Sequence, residues 1–344
     1  MLVTLLAVLG LVLVVGLLFV NLSPQFGGKA TKAQLAFYSK SENHQNGKFI
    51  NLGGIKAEMS SRDMLKAIGS MFKTIPNAKP KNIEVQQIDS TKLSEYKAET
   101  RFIWFGHSAF LVQINGKNLL IDPMFGDVPA PHPLLGGKRF SKTLPIEIEQ
   151  LPKIDAVLIS HDHYDHLDYG SIKRLKHKVG TFFTPLGVGA HLRKWGIPDD
   201  KIVELDWWEE TVFDDLNFTS TPAQHFSGRG LTDRDKTQWC SWVIQSETEK
   251  IFFSGDSGYA PHFKEIGNKY GPFDFAMMEC GQYNELWHEV HMFPEETAQA
   301  GLDVKAKRIM PIHWGAFKLA PHSWTDPVQR VIDKAEALNV ALLI

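Results

Sequence analysis

The chain has 344 residues, 43% hydrophobic and 22% charged, enough for a sizeable core and too apolar for a disordered polymer. Lys and Arg number 37 against 39 Asp and Glu, and a net charge of -2 argues against a nucleic-acid partner held by its phosphates. Cys240 and Cys280 are too few for a disulfide framework or a thiolate zinc site, so any metal must be held by carboxylates and by some of the 14 histidines.

The segment Leu2 to Leu22 carries no charge, and at about 1.5 Å per residue it is long enough to cross a hydrocarbon core of roughly 30 Å. No Lys or Arg precedes it and no A-x-A-like cleavage site follows, so a retained membrane anchor is expected in place of a cleaved signal peptide. Lys29, Lys32 and Lys40 follow the span, which predicts a single-pass protein with its catalytic body on the cytoplasmic side. Residues 23 to 54, rich in Gly, Lys, Asn, Ser and Gln, read as a solvated tether. Met59, Met64, Leu65, Ile68, Met71, Phe72 and Ile75 then fall at helical spacing, an amphipathic helix expected to pack on the body, with lipid headgroups as the other option. The expected division is therefore an anchor over 1–22, a tether and N-terminal extension over 23–98, and a globular domain over 99–344.

From Glu99 the texture is strand and turn: Phe102 to Trp104, AFLVQI, the turn Asn115-Gly116, and NLLID ending at Asp122. SWVIQ (241–245), a polar turn and IFFSGD repeat this shape and end on Asp256, which suggests an internal duplication. Between the two hairpins lie the strand AVLIS (156–160), a His-rich loop, a helix starting near Tyr169 and a strand at Thr181 to Thr184. Strands alternating with helices predict α/β layering.

Directly after AVLIS comes His161-Asp162-His163-Tyr164-Asp165-His166. Imidazole and carboxylate are the donors of open, reactive zinc sites, and a capped polar loop does not require four of them in six residues. Alternation along an extended loop aims His161 and His163 the same way, while Asp165 and His166 begin the next turn and can face a second metal. Further donors must come from elsewhere, and His225, Asp256 and His313 each follow an apolar strand-like run.

The words GHSAFL, IDPMF and SHDHYDHLD, then His225, then GDSGY and IHWGAF, in that order, resemble the metallo-β-lactamase superfamily. The longer words FFSGDSGYAPHFKEIGNKYGPFD, HEVHMFPEETAQ and MPIHWGAFKLA look most like its N-acyl-phosphatidylethanolamine-hydrolysing phospholipase D group, over roughly Arg101 to Pro327. The resemblance implies an αββα sandwich behind the N-terminal transmembrane helix, with two zinc ions at the sheet edges. It implies His161, His163 and His225 on one ion, Asp165, His166 and His313 on the other, and Asp256 bridging both. Iron or manganese could replace zinc on such donors.

A hydroxide shared by the two metals is the expected nucleophile, attacking a phospholipid to give phosphatidic acid and N-acylethanolamine. Asp165 and Asp256 then belong to the catalytic set, with His291, and less so His288, as proton donor or phosphate ligand. Asp122 is expected to orient a ligand histidine, and His107 to pack beneath the metals. Trp207, Trp208, Phe226, Trp239, Trp287, Met292 and Phe293 supply either core or a lipid-facing groove. The alternatives are a metal-dependent lactonase of the same fold and a noncatalytic zinc-binding module; the oligomeric state is open.

Overall fold

The computed structural model describes residues 1–55, 59–95 and 99–344; the end of the expected extension, 96–98, lies outside the described residues, as do 56–58. Helix α1 (Leu2–Leu22) has no buried residue and a mean hydropathy of 3.0, and among the described residues it is the helix long and apolar enough to cross a membrane. Helix α2 (Lys32–Tyr38) is opened by a reciprocal capping box between Thr31 and Gln34. A short ribbon, β1 (His44–Gln45) with β2 (Lys48–Phe49), precedes helices α3 (Ser61–Met71) and α4 (Ser90–Glu95).

The body is built on two sheets. The first comprises β3 (Arg101–Trp104), β4 (Phe110–Ile114), β5 (Lys117–Ile121), β6 (Ile154–Leu158), β7 (Val179–Pro185) and β8 (Ile202–Leu205), hydrogen-bonded in that order. The first three strands are antiparallel and the last four run parallel. Asn115 and Gly116, at φ 49° and 72°, make the left-handed turn that closes the β4–β5 hairpin. Helix α5 (Tyr169–Leu175) links β6 to β7, and α6 (Gly189–Lys194) links β7 to β8.

The second sheet comprises β9 (Glu210–Phe213), β10 (Leu216–Thr221), β11 (Ser241–Gln245), β12 (Lys250–Phe253), β13 (Phe275–Glu279) and β14 (Ile309–Ile312). It is antiparallel up to β12 and parallel from there to β14. Helices α7 (His262–Lys269), α8 (Pro294–Asp303) and α9 (Asp326–Leu338) follow β12, β13 and β14 respectively. In both sheets an antiparallel hairpin, β4–β5 or β11–β12, feeds a parallel strand, which is the architecture expected of the duplicated pattern.

Alternation along the strands separates three cores. Phe110, Val112, Ile114, Trp242, Ile244 and Phe253 meet between the sheets. Leu111, Leu120 and Val157 pack outward with Ile172, Leu175 and Leu192, and Val243, Phe252 and Met278 pack outward with Phe263, Ile266 and Val331. Strands β4, β13 and β14 are buried at every residue and so are almost continuously apolar, whereas the edge strand β9 has no buried residue. The layers are helix, sheet, sheet, helix, the αββα sandwich expected from the sequence.

Two expectations for the N-terminal region are corrected. Residues 23–54 are not a solvated tether: Tyr38, Phe49 and Asn51 are buried in the body. Gly27 and Gly28 lie so close to α6 that an added Cβ would fall 2.0 Å from the His191 ring or 2.2 Å from the Ala190 carbonyl oxygen. Polar composition misled because these residues bury their backbone and a few anchors while leaving lysines in water. Helix α3 does not pack by its apolar side either; Ala67 is its buried residue, while Met64, Leu65 and Ile68 are exposed.

Candidate metal centre

The parallel order of strands brings their carboxyl ends to one edge, and the donors follow those ends. Asp122 succeeds β5, the His-rich loop succeeds β6, His225 follows β10, Asp256 follows β12 and His313 follows β14. His107, Asp122 and His313 have φ of 59°, 41° and 68°, a backbone region that costs a non-glycine residue roughly 1–3 kcal/mol. The strain at His107 and His313 is held by an antiparallel bridge in which His107 N donates to the Trp314 oxygen at 2.8 Å and His313 N donates to the His107 oxygen at 3.0 Å. This bridge also ties the site edges of the two sheets together.

One donor of each of His161, His163, His225 and Asp256 lies within 4.8 Å of the others, and so do donors of His107, Asp165, His166 and His313. Within the first group, His163 Nδ1 stands 3.0 Å from His161 Nε2 and 3.2 Å from His225 Nε2. Two ligands at 2.0–2.1 Å from one tetrahedral ion are about 3.3 Å apart, so these nitrogens already have the spacing of one metal shell. Asp256 lies between the groups: its Oδ2 is 3.2 Å from His166 Nε2, 3.7 Å from His161 Nε2 and 3.8 Å from His225 Nε2, and its Oδ1 is 3.1 Å from His313 Nδ1. His166 Nε2, His313 Nε2 and Asp256 Oδ1 are buried without a hydrogen-bond partner among the described residues. Buried polar atoms left unpaired at one point are what a cation would satisfy. The seven expected ligands therefore converge, and the donor set fits divalent metal.

Burial holds the pKa of His161, His225 and His313 well below the ordinary imidazole value, and that of His163 below it, so their ring nitrogens keep free lone pairs at neutral pH. Burial opposes charge on His166 too, but Asp256, Asp165 and Asp122 together raise it well above. Asp165 and Asp256 are held well below the carboxylate range against the cost of burial, chiefly by His166.

Asp122 bonds the His-rich loop at two points. Its Oδ2 accepts from His166 Nδ1 at 2.7 Å and its Oδ1 from the Ser160 backbone at 2.7 Å. His107, wholly buried, places Nε2 2.8 Å from Asp165 Oδ2. His291 lies over the His313 ring at 5.2 Å and beside His225 at 5.1 Å, whereas His288 turns away to bond Glu296, 2.8 Å from its Oε2, near the start of α8. Of these apolar candidates, Phe226 and Trp287 line the cavity beside the donors, while Trp207, Trp239 and Met292 are core.

Sequence reasoning missed four supporting residues. Glu279, the last residue of β13 and fully buried, accepts from His291 Nδ1 at 3.0 Å and from Met292 N at 3.0 Å. Burial pushes its carboxyl up to about 8, and in turn the carboxylate raises His291. Asn51 bonds both backbone groups of His225, accepting from N at 3.0 Å and donating to O at 2.9 Å. His191 Nε2 is 3.1 Å from Asp162 Oδ2, and the buried Arg229 guanidinium donates to the Asp162 and Leu167 carbonyls. Only the position of Glu279 at the end of an apolar strand signalled it; Asn51 lay in a stretch of tether-like composition.

A cavity of about 480 Å³ opens on the donors. His163, Asp165, Asp256, His291 and His313 form its floor, Met59, Met64, Phe226, Leu286, Trp287, Val290 and Leu319 its apolar wall, and Arg234, Gln282 and Glu289 its polar positions. The Arg234 guanidinium stacks on Phe226 at 4.2 Å.

Residues 117–314 match the β-lactamase superfamily domain. The chain is 39% identical over 326 residues to an uncharacterised protein of Mycobacterium tuberculosis, covering 90% of this chain and 84% of the relative. It is 33% identical over 252 residues to the Caenorhabditis elegans protein named N-acyl-phosphatidylethanolamine-hydrolyzing phospholipase D 1, covering 69% and 70%. Among solved structures, a metallo hydrolase from Ignicoccus hospitalis shares the fold at TM-score 0.56 and 22% identity, over 71% of this chain and 94% of that one. The chain therefore belongs to the β-lactamase superfamily, as a hydrolase of the metallo-β-lactamase fold with N-acyl-phosphatidylethanolamine-hydrolysing phospholipases D among its homologues.

Proposed function

We propose that this protein is a membrane-anchored dinuclear zinc phosphodiesterase that hydrolyses phospholipids of the N-acyl-phosphatidylethanolamine type to phosphatidic acid and N-acylethanolamine. The observation that carries the reading is the cavity, in which an apolar wall and the Arg234 guanidinium line one space with members of the two convergent donor groups. A lipid phosphodiester presents that combination, an anionic centre beside long acyl chains. The named activity of the C. elegans relative supports the same bond.

His161, His163 and His225 would hold one ion, Asp165, His166 and His313 the other, and Asp256 both. Two such ions supply Lewis acidity, drawing the pKa of a water toward about 7 and offsetting charge on the phosphoryl oxygens. The chain's own groups do the rest. Arg234 places positive charge on the wall for the phosphate, and Phe226, Trp287 and Met64 shelter the acyl chains from water. Glu279 holds His291 by Nδ1 and leaves Nε2 for the cavity. As the bond from phosphorus to the ethanolamine oxygen breaks, that oxygen takes a proton from His291; the attacking water leaves its oxygen on the phosphatidate, and the proton it loses restores His291. Asp122 and His107 orient His166 and Asp165. Helix α1 keeps the site beside its substrate.

The test is full-length, zinc-loaded protein in mixed micelles containing N-acyl-phosphatidylethanolamine, with products identified by mass spectrometry. Chelator-sensitive phosphatidic acid and N-acylethanolamine are expected. Turnover of a soluble lactone with none of the phospholipid would overturn the reading in favour of a lactonase.

A further inference from the structure

Only Ser23 separates Leu22, the end of α1, from the first of the residues docked on the body. Trp195 Nε1 donates to the Pro24 oxygen at 2.7 Å, Arg229 Nε to the Gln25 oxygen at 2.7 Å, and Gly28 N to His191 Nδ1 at 3.0 Å. Phe26 meets Tyr164 edge-on at 6.5 Å, and Phe19, in the last turn of α1, meets His132 at 6.0 Å. Of these partners, His191 and Arg229 bond Asp162 of the His-rich loop, and Trp195 stacks on His191. A chain extends at most about 3.6 Å per residue, so the body cannot stand more than a few residues' length from wherever α1 enters lipid.

Large apolar side chains are exposed beside this exit and on α3. Beyond α1, the described residues include three such side chains more than 80% exposed: Leu231 at 87%, Leu134 at 86% and Phe72 at 85%. Leu134 and its neighbour Leu135 share a loop with His132, which touches α1. Leu231 lies two residues beyond Arg229, which bonds the exiting chain. Phe72 ends α3, whose Met64 lines the cavity with Phe226 and Arg234. Single exposed leucines are ordinary, but two remote segments placing them beside the exit of one span, with a third on the helix that borders the cavity, are not. Lys29 and Lys32, exposed just after the exit, and Arg62, Lys66 and Lys73 on or beside α3 suit anionic headgroups.

We propose that Leu134, Leu135, Leu231 and the outward side of α3, through Leu65, Ile68 and Phe72, enter the same bilayer leaflet as α1 and seat the cavity mouth on the lipid surface. The occupant of this rim is a bilayer containing anionic phospholipid. The inference rests on the proposed retention of α1 as an anchor, and it goes further: a span alone would let the body hang free.

The experiment uses the full chain in nanodiscs of phosphatidylcholine and phosphatidylglycerol. An environment-sensitive fluorophore is placed singly by Leu134→Cys, Leu231→Cys, Phe72→Cys, Val12→Cys and Val212→Cys; the native Cys240 and Cys280 are buried. Val212 is exposed and pairs with Asn217, at the end of β10 away from His225. Lipids carrying a nitroxide near the headgroup should quench positions 134, 231 and 72, deep nitroxides should quench position 12, and position 212 should keep its emission. Quenching at 12 with none at 134, 231 and 72 overturns the rim while leaving the anchor. No quenching at 12 removes the anchor and the rim with it. Blue-shifted emission at the rim that follows protein density and ignores nitroxide lipid overturns the proposal in favour of a second copy of the chain.

Discussion

The two donor groups meet at Asp256 but are built on different principles. In the His161, His163 and His225 group the imidazoles face one another, their nitrogens 3.0 and 3.2 Å apart, and the nearest carboxylate contacts to His161 and His225 are 3.7 and 3.8 Å. The Asp165, His166 and His313 group is compensated from within: His107 bonds Asp165 at 2.8 Å and Asp122 bonds His166 at 2.7 Å. Neutral imidazoles gathered with only the shared Asp256 carboxylate beside them, at 3.7 and 3.8 Å, have little reason to converge except a cation. A cluster that carries its own opposite charges can hold its geometry with or without one. The first group should therefore depend on metal for its order, and the second should pre-exist.

The largest effect is expected where the groups join. Asp256→Asn should lower kcat by more than about 10³-fold and cost at least one bound ion, measured by turnover and elemental analysis. Full activity would end the two-metal reading. Next, His163→Ala and Asp165→Ala should each halve the metal content. In the metal-free protein His163→Ala should leave stability nearly unchanged, while Asp165→Ala destabilises it by stranding buried His107 and His166. Equal losses in the two variants would erase the contrast.

Supporting residues sharpen the comparison at smaller amplitude. Asp122→Ala should weaken metal binding by about 10–100-fold through His166. Asn51→Ala, acting on the His225 backbone, should cost less, and competition with a chromophoric chelator would rank them. Glu279→Gln should lower kcat by about tenfold with KM little changed, because it frees His291 to turn without altering the cavity wall; a change in KM alone would make Glu279 a merely structural contact.

The smallest expected effect distinguishes the groups by sign, in metal-free protein. His225 is depressed when folded, so between its folded pKa and the unfolded value of about 6.5 the unfolded chain binds more protons and stability falls on acidification. His166 is raised when folded, so its contribution is complete below about 6.5 and is lost as pH climbs toward its folded pKa. His225→Asn should flatten the acid limb of a melting-temperature profile and His166→Asn the limb above neutrality. Each proton involved is worth about 1.4 kcal/mol per pH unit. The same limb flattened by both variants would contradict the opposed electrostatics.

Much of the site was legible in the chain. HDHYDH is dense enough to favour metal donors over a capping loop, and His225, Asp256 and His313 each follow an apolar strand-like run. Asp122 was readable as a carboxylate ending a hairpin. Asn51, His191 and Arg229 were not, because their partners are backbone groups or residues up to 204 positions away, and no local pattern marks such a bond. Glu279 was hidden for the reverse reason: a carboxylate at a strand end looks like a solvated terminus until the fold closes over it.

What the sequence by itself determined is what local periodicity and donor density can carry: an apolar 21-residue helix, two strand-and-hairpin sheets and a cluster of metal-type ligands. Only the tertiary structure decided that the chain leaving that helix is fastened to the metal loop, that α3 turns its apolar side outward, and that the two donor groups are compensated so differently. Those outcomes depend on which distant groups desolvate one another, and burial is a property of the assembled fold that no short stretch of sequence contains.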